Sequence, residues 1–221
     1  MSGFDKFPIA ASGWPYLISF GGLAWVAFAL RVGWLAWPLL IITAWMIWFF
    51  RDPARFAPAG PEAVLSPADG RVVAVEEVDR PDLPGGRAAM ISIFMNIFDV
   101  HVNRAPISGK VVRLAHLPGG YMPADRPGAR VDNERQEVLI QGEDGRLVLV
   151  AQVAGLVARR IECRLAPGEW VHRGQRFGMI RFGSRLDIYL PPETRVRVLP
   201  GQKVKAGLSL LAELGSDPAE A

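Results

Sequence analysis

Residues 14–50 restrict the fold of this chain more than any other feature, because they are almost wholly apolar. They contain six of the seven tryptophans and one charged residue, Arg31. Residues 16–30 form an uncharged stretch of 15 residues, and residues 34–50 form a second stretch of 17. A membrane-spanning helix needs roughly 17–25 apolar residues, so the first stretch is borderline and the second just sufficient. We predict a hydrophobic helical hairpin, residues 1–50, with a tight turn near Arg31.

The charges around this hairpin indicate how a membrane would orient it. Lys6 precedes the apolar region, and Arg51 and Arg55 follow it. Because basic residues favour the cytoplasmic side, we expect both ends in the cytoplasm and a membrane anchor in the cell's inner membrane. A secretory signal peptide fits less well, since a basic leader is nearly absent and no small-x-small cleavage site follows. A shallow, monotopic hairpin and a buried core hairpin are the alternatives.

The remaining composition argues against several classes of partner. The formal net charge is only +3, and no Lys/Arg block or aromatic–basic interleaving occurs, so no nucleic acid partner is expected. Cys163 is the single cysteine, which excludes a disulfide within the chain and favours a reducing compartment. The three histidines are dispersed along the sequence, and we expect no metal site.

Residues 63–221 have the pattern of a mainly β domain, which follows a proline-containing linker at 51–62. Short runs rich in Val and Ile alternate with Gly and Pro, as in sandwiches and barrels. The runs are 71–78, 88–94, 109–114, 137–141, 147–153, 156–163, 177–182, 185–190 and 195–199. No helical period is sustained after the hairpin. We therefore predict a compact, sandwich-like or barrel-like β domain.

Two weak internal repeats occur in this domain. Pro-Gly-Glu-Trp-Val-His-Arg-Gly at 167–174 is similar to Pro-Gly-Gln-Lys-Val-Lys-Ala-Gly at 200–207, and Gly-Arg-Val-Val at 70–73 to Gly-Lys-Val-Val at 109–112. The first pattern predicts a tight turn that leads into a strand and a second turn, as in lipoyl-type domains. The alternative is that Pro-Gly turns recur independently, since local geometry selects turn residues in any β protein.

Gly183 and Ser184 lie between two strand-like runs that leave little loop around them. Glycine lacks a Cβ, so its carbonyl is open to attack by a neighbouring hydroxyl. A serine hydroxyl needs a base to become a nucleophile, and His101 is the candidate base. Asp69 is the candidate carboxylate that orients it. The alternatives are an ordinary Gly-Ser turn, a turn aspartate before glycine and a packed histidine.

Several segments carry a resemblance that covers nearly the whole chain. They are the hairpin, Ser-Pro-Ala-Asp-Gly at 66–70, Asn-Ile-Phe-Asp-Val-His-Val-Asn at 96–103, Asp-Asn-Glu-Arg at 132–135 and Phe-Gly-Ser at 182–184. No single motif is specific, but in their order and spacing they resemble the short form of the phosphatidylserine decarboxylase family. The resemblance leaves the role of 132–135 open, and a polar turn is the alternative there.

The resemblance implies a proenzyme that cuts itself between Gly183 and Ser184. The products would be a β chain, residues 1–183, and an α chain, residues 184–221, which begins with a pyruvoyl group made from Ser184. This pyruvoyl cofactor would form a Schiff base with phosphatidylserine and release CO2 and phosphatidylethanolamine, with His101 returning a proton. We expect no separate cofactor or metal, and we expect the α and β chains to stay associated at the membrane.

Two other functions remain open at the level of sequence. The first is a pyruvoyl decarboxylase for a different amine, although the apolar hairpin argues against a free amino acid. The second is a membrane-tethered, lipoyl-like adaptor, which would explain the Pro-Gly turns but not Asp69 and His101. A carrier of that class would display an exposed lysine in a hairpin, and the nearest candidates, Lys110 and Lys203, have no Met-Lys or Asp-Lys context.

Overall fold

The computed structural model describes residues 8–215 except 59, 61, 124, 125, 127, 157–159, 182 and 183. The chain divides into two compact units, Met1–Ala54 and Arg55–Ala221. The division falls inside the stretch 51–62, where the prolines are concentrated.

The N-terminal unit is a helical hairpin, as predicted from its apolar sequence. Helix α1 spans Trp14–Ala29 and helix α2 spans Gly33–Phe49. Arg31 has a φ of 59° in the turn between them, and a positive φ in a residue other than glycine marks a tight reversal. Small side chains are buried in this unit: Ala24, Ala27 and Ala36.

The outer surface of this hairpin is apolar, which is the reverse of the pattern in a water-soluble helix pair. Trp25 is 73% exposed, Trp34 80% and Ile41 69%. Among the described residues, no helix combines the length and the apolar character that crossing a membrane requires.

The second unit is mainly β, which confirms the predicted fold class. Its described residues form fourteen strands: β1 Ala63–Leu65, β2 Gly70–Asp79, β3 Arg87–Met95, β4 Val102–Arg104, β5 Gly109–Leu117, β6 Arg135–Gln141, β7 Leu147–Val153, β8 Ile161–Cys163, β9 Trp170–Val171, β10 Arg176–Ile180, β11 Ser184–Leu190, β12 Arg195–Val196, β13 Lys203–Val204 and β14 Leu210–Glu213. A single helical turn, α3, spans Ala129–Asp132. The predicted run 195–199 is therefore a strand only at its first two residues.

Eight of these strands form one curled sheet, which resembles half of a barrel, in the order β13-β2-β3-β11-β7-β6-β5-β9. Two three-stranded sheets, β1-β14-β12 and β4-β10-β8, accompany it. Alternate residues of a strand face opposite sides of a sheet. Accordingly, Leu186 and Ile188 of β11 belong to the main core, whereas Tyr189 belongs to a smaller cluster on the other face.

The two sequence repeats lie at opposite edges of the large sheet. At one edge β13 pairs with β2, and Val204 lies opposite Gly70. At the other edge β9 pairs with β5, and Val171 lies opposite Gly109. The Pro-Gly turns that the sequence predicts are present, because both glycines of each Pro-Gly repeat have a positive φ. These glycines are Gly168 (89°), Gly174 (79°), Gly201 (92°) and Gly207 (69°).

The hydrogen bonds of the two edges match one another. Gly201 N–H donates to the Val72 carbonyl at 2.7 Å, and Gly168 N–H donates to the Val111 carbonyl at 2.7 Å. At the far end of each repeat, Gly207 N–H donates to Ser66 and Gly174 N–H donates to Ala105, at 2.7 and 2.8 Å. Independent turns would not share these partners, so the two segments form one structural repeat. The repeat aligns residues 66–73 with residues 105–112.

Candidate active site

Ser184 is the first residue of β11, a strand with a neighbour on each side. It lies opposite Met95 of β3, and its side chain points to the main core side of the sheet with Leu186. The residue is fully buried, and its Oγ has no hydrogen-bond partner among the described residues. Buried hydroxyls are normally hydrogen-bonded, so such an atom suggests a chemical role. Gly183, the other half of the predicted cleavage site, lies outside the described residues.

Asp69 lies in the turn that leads into β2 and is held by two neighbours. Arg55 Nη2 donates to Asp69 Oδ2 at 2.8 Å, and Arg55 Nη1 donates to Asp69 Oδ1. Ala206 N–H donates to the same Oδ1 at 2.7 Å. The two side chains are only 8% and 12% exposed for Arg55 and Asp69, respectively. A bidentate, largely buried pair of this kind fixes the relative position of the two side chains.

His101 immediately precedes β4 and is fully buried. Its Nδ1 lies 3.0 Å from the main-chain carbonyl oxygen of Asp99. A carbonyl oxygen can only accept a hydrogen bond, so Nδ1 carries the proton in the neutral ring and donates it to Asp99. The lone pair of the neutral imidazole is therefore on Nε2, which makes Nε2 the basic atom.

Strand pairing brings the three elements to one end of the large sheet. Phe94 of β3 lies between Arg71 of β2 and Arg185 of β11, so Asp69 and Ser184 are at the same end of these three strands. The Asp69 turn also contacts β4, because the Pro67 carbonyl accepts the Arg104 N–H at 2.9 Å. Strand β4 pairs with β10, which ends four residues before Ser184. The predicted interaction of Asp69 with His101 stays a prediction, because the partners seen for Asp69 are Arg55 and Ala206.

Two buried amides near Ser184 were not singled out from the sequence. Gln152 Nε2 donates to Asn103 Oδ1 at 2.9 Å, and both residues are fully buried. Asn103 Nδ2 contacts the sulfur of Met95, the residue opposite Ser184, at 3.7 Å. Gln152 Oε1 has no hydrogen-bond partner within the described part of the chain. A glutamine inside the apolar run 147–153 was the available signal, since a buried polar group requires a partner.

The cluster at 132–135 holds a loop in place near this end of the sheet. Asn133 is fully buried and clamps the preceding loop, accepting from Met122 N–H at 2.9 Å and donating to the Met122 carbonyl at 2.8 Å. It also donates to the Ala154 carbonyl at 2.8 Å, just beyond the end of β7. Glu134 accepts from the Tyr121 hydroxyl. His116, the other histidine near this loop, is 56% exposed and lies 3.9 Å from Glu134.

The opposite face of the sheet carries a separate set of charges. Arg185 Nε donates to Asp187 Oδ1 at 2.6 Å in a fully buried pair, and burial raises the pKa of Asp187. Burial, with the charge of Asp187, raises the pKa of Tyr189 to about 12. The Arg80 guanidinium lies 4.4 Å above the Tyr189 ring. Alternation along β11 directs these side chains away from Ser184, so they support the strand rather than the site.

A chemical change of the Ser184 side chain would break no hydrogen bond among the described residues. The hydroxyl is buried and unpartnered among the described residues, so the side chain can be altered in place without the loss of a hydrogen bond. Across the described ranges, no three His, Cys, Asp or Glu side chains lie together in a metal-binding arrangement.

Comparison with known proteins identifies the family. The family model for phosphatidylserine decarboxylase matches residues 42–212. Phosphatidylserine decarboxylase proenzymes of Ralstonia nicotianae and Cupriavidus pinatubonensis are 50% and 51% identical over 210 and 207 residues, which is 93% of this chain and 95% of each relative. The proenzyme of Syntrophus aciditrophicus is 44% identical over 94% of this chain and 97% of its own length. The chain therefore belongs to the phosphatidylserine decarboxylase family of carboxy-lyases.

Proposed function

We propose that this chain is a self-processing phosphatidylserine decarboxylase, which converts phosphatidylserine to phosphatidylethanolamine and CO2 with a pyruvoyl group made from Ser184. The observation that carries the proposal is Ser184 itself. Its hydroxyl is fully buried and unpartnered among the described residues, at the first position of a central strand. The close relatives are named as proenzymes, which is consistent with processing of the chain.

Processing begins at the peptide bond between Gly183 and Ser184. Ser184 Oγ attacks the Gly183 carbonyl carbon, so that a C–O ester bond forms and the C–N bond breaks. Removal of the Ser184 α-proton then expels the Gly183 carboxylate and leaves dehydroalanine at 184. Its tautomer takes up one water and releases one ammonia, which leaves the pyruvoyl group at the new N-terminus. The balance is one water consumed and one ammonia released.

His101 is the proposed base for this processing and a proton carrier for the later reaction. The Asp99 carbonyl holds Nδ1–H, so Nε2 is the atom that would take the Ser184 hydroxyl proton. The same atom, once protonated, would return a proton to the carbon that loses CO2. The paired Asp69 and Arg55 place opposite charges at this end of the sheet, and the Ala206 N–H also donates to the Asp69 carboxylate.

The pyruvoyl group, once formed, supplies an electrophilic carbonyl for a primary amine and an electron sink for loss of the carboxylate. The chain itself contributes the side chains that would surround this group. Leu186 and Ile188 follow Ser184 on the same side of the sheet, in the main core, and exclude water from it. The amides of Asn103 and Gln152 provide polar atoms within that enclosure.

We propose further that the catalytic domain lies at the cytoplasmic face of the inner membrane. The exposed Trp25, Trp34 and Ile41 of the hairpin support an apolar environment for that unit. Arg51 follows the hairpin, and its guanidinium lies 4.4 Å from the ring of Trp48. Tryptophan is enriched at membrane–water interfaces, and arginine is enriched on the cytoplasmic side. A diacyl lipid substrate stays in the bilayer because extraction costs about 0.8 kcal/mol per methylene.

The test is an intact mass of the purified chain under denaturing conditions, together with the Ser184→Ala variant. We expect two species divided between Gly183 and Ser184. The smaller one should be lighter by one ammonia than a chain 184–221 that begins with an unmodified serine. Ser184→Ala should remain one chain and lose decarboxylation entirely, because no pyruvoyl group can form.

Cys163→Ser is the matched control for that experiment. It removes the only thiol, whose pKa is raised by burial and which is therefore a poor nucleophile at neutral pH. We expect normal cleavage and activity. Cleavage and turnover by Ser184→Ala would contradict the mechanism, and an uncut, inactive natural chain would favour the adaptor.

A further inference from the structure

Two loops that flank Ser184 present apolar side chains to solvent. Strands β3 and β7 lie on either side of β11, and both end at the end of the sheet where β11 begins. The loop after β3 leaves Ile97 42% exposed and Phe98 63% exposed. The loop after β7 leaves Leu156 56% exposed. Single exposed apolar residues are ordinary, but three on the two loops that flank one buried serine require an explanation.

The loop after β3 is a hydrogen-bonded turn whose tip, Ile97-Phe98, is exposed to solvent. Asn96 Oδ1 accepts the Phe98 N–H at 2.8 Å, and Asp99 Oδ2 accepts the Asn96 N–H at 3.0 Å. A main-chain bond from Asp99 N–H to the Asn96 carbonyl, also 3.0 Å, closes the turn. The carbonyl of Asp99 in turn holds His101. The exposed Ile97-Phe98 tip and the buried His101 therefore belong to one hydrogen-bonded segment.

The strand pairing sets an upper limit on the distance between the tip of this turn and Ser184. Phe98 is three residues beyond Met95, so their Cα atoms are at most about 11 Å apart, and Met95 faces Ser184 across a strand pair about 5 Å wide. The tip therefore lies within about 16 Å of Ser184. The headgroup region is roughly 5–8 Å thick on each side of a bilayer, and interfacial elements sink about 5–10 Å into it.

Positive charge accompanies these apolar residues at the same edge. Arg160 is exposed and immediately precedes β8. Its neighbour Ile161 lies opposite Ile180, four residues before Ser184. Arg126 is also exposed, and its main-chain carbonyl accepts from Arg185 at 3.5 Å on the other face of the sheet. Apolar tips beside an exposed arginine are complementary to an anionic lipid surface, which attracts basic side chains electrostatically.

We propose that the Ile97-Phe98 turn, together with Leu156, seats the β domain on an anionic phospholipid bilayer. The tips enter the headgroup–acyl boundary, and a headgroup reaches Ser184 while its acyl chains stay in the membrane. The identity of the substrate rests on the proposed function, whereas the contact with lipid does not.

The first test compares two forms of substrate with the double variant Ile97→Ser/Phe98→Ser of the full chain. We expect decarboxylation of phosphatidylserine in bilayer vesicles to fall about tenfold, which corresponds to about 1.4 kcal/mol. The rate on a short-chain phosphatidylserine, dissolved below its micelle concentration, should stay within about twofold, because no membrane contact is needed. Equal losses on both substrates, or no loss on vesicles, would overturn the proposal.

Trp170→Ser is the matched control. Trp170 is an aromatic residue with 43% exposure on β9, the edge strand that β7, β6 and β5 separate from β11. Its partner Lys110 pairs with Gln141, at the end of the strands far from Ser184. We expect this variant to match the natural chain on both substrates.

The second test measures the contact with lipid directly and does not depend on enzyme activity. A polarity-sensitive fluorophore is attached to Phe98→Cys in a Cys163→Ser background, and to Trp170→Cys in the same background. Vesicles that contain an anionic phospholipid should shift the emission at position 98 to the blue and leave position 170 unchanged. No shift at 98 would overturn the proposal, and so would a shift caused by protein concentration alone, which would indicate contact between copies. If the natural chain decarboxylates neither substrate, the proposed function fails and this measurement still decides the contact.

Discussion

At the scale of single residues, the structural repeat separates two tasks of Asp69. Asp69 Oδ1 accepts the Ala206 N–H at 2.7 Å, and at the equivalent place Ser108 Oγ accepts the Arg173 N–H at 3.0 Å. Capping this turn therefore requires an oxygen but no charge. The charge of Asp69 is additional, and its observed partner is Arg55.

This comparison leads to a prediction for Asp69→Asn. The amide oxygen can still accept the Ala206 N–H, but the variant removes the charge opposite Arg55, so the fold should survive with some loss of stability. We expect self-cleavage to slow by about 100-fold or more if the charge supports the base. The measurement is the fraction of cut chain with time, followed by denaturing electrophoresis.

Ser108→Ala is the control, because it removes the cap in the other repeat. It should cost about 1 kcal/mol of unfolding free energy and leave the rate of cleavage unchanged. Equal rates for Asp69→Asn and the natural chain would show that Asp69 only caps a turn.

His101 carries the second prediction at this scale. His101→Ala removes the base whose Nδ1–H is held by Asp99, and we expect cleavage to slow by about 10²–10⁴-fold. His172→Ala, at an exposed position, should cleave normally. Intact masses taken over time from freshly synthesised chains would measure both. Unimpaired cleavage by His101→Ala would require a different base.

At the scale of elements, the repeat explains why two strands begin with glycine. A Cβ on Gly70 would lie 2.1 Å from the Phe94 carbonyl oxygen, and one on Gly109 would lie 2.2 Å from that of Gln141. Both contacts are with the backbone of a paired strand, which cannot move aside without breaking the ladder. Each glycine is thus needed for the same close approach of two strands.

Alanine substitution of these two glycines distinguishes an effect on unfolding free energy from an effect on the rate of self-cleavage. Gly70→Ala and Gly109→Ala should each lose about 1–3 kcal/mol of unfolding free energy, because the added methyl group overpacks a paired strand. Gly70 follows Asp69, so only Gly70→Ala should also slow cleavage. Denaturant unfolding in a Ser184→Ala background, where the chain stays whole, measures stability, and cleavage is followed without that background. Similar cleavage by both variants would contradict the placement of Asp69 in the site.

At the scale of the whole molecule, the proposed cut divides one folded domain between two chains. The α chain would supply β11, which pairs with β3 and β7, as well as β13 and β14, which pair with β2 and β1. It also supplies fully buried side chains such as Leu186, Ile188 and Leu211. Each buried side chain of this size contributes about 1.5–3 kcal/mol.

We therefore predict that the α and β chains stay together after cleavage. Native mass spectrometry should give the summed mass at low micromolar concentration, and denaturant should separate the chains. Dilution in native buffer should not separate them, because β11 is held by a strand on each side. Release of residues 184–221 on dilution would contradict this account.

Much of this architecture follows from local sequence patterns. The apolar stretches predict α1 and α2. Short runs rich in Val, Ile and Leu, such as 147–153 and 185–190, predict β7 and β11 closely, because a short apolar run between turn residues is typical of a strand that is buried on both faces. Predictions failed where a run lacked a partner strand along its length. The run 195–199 is the example, since only its first two residues pair with β14.

The sequence by itself determined the helical hairpin, the β class of the domain and the residue types of the candidate site, Ser184, His101 and Asp69. Only the tertiary structure decided that Arg55, from the apparent linker, neutralises Asp69. It also decided that the Ile97-Phe98 turn lies beside Ser184. The physical reason is that residue type and periodicity are local properties, whereas ion pairs, strand register and exposure depend on segments far apart in the chain.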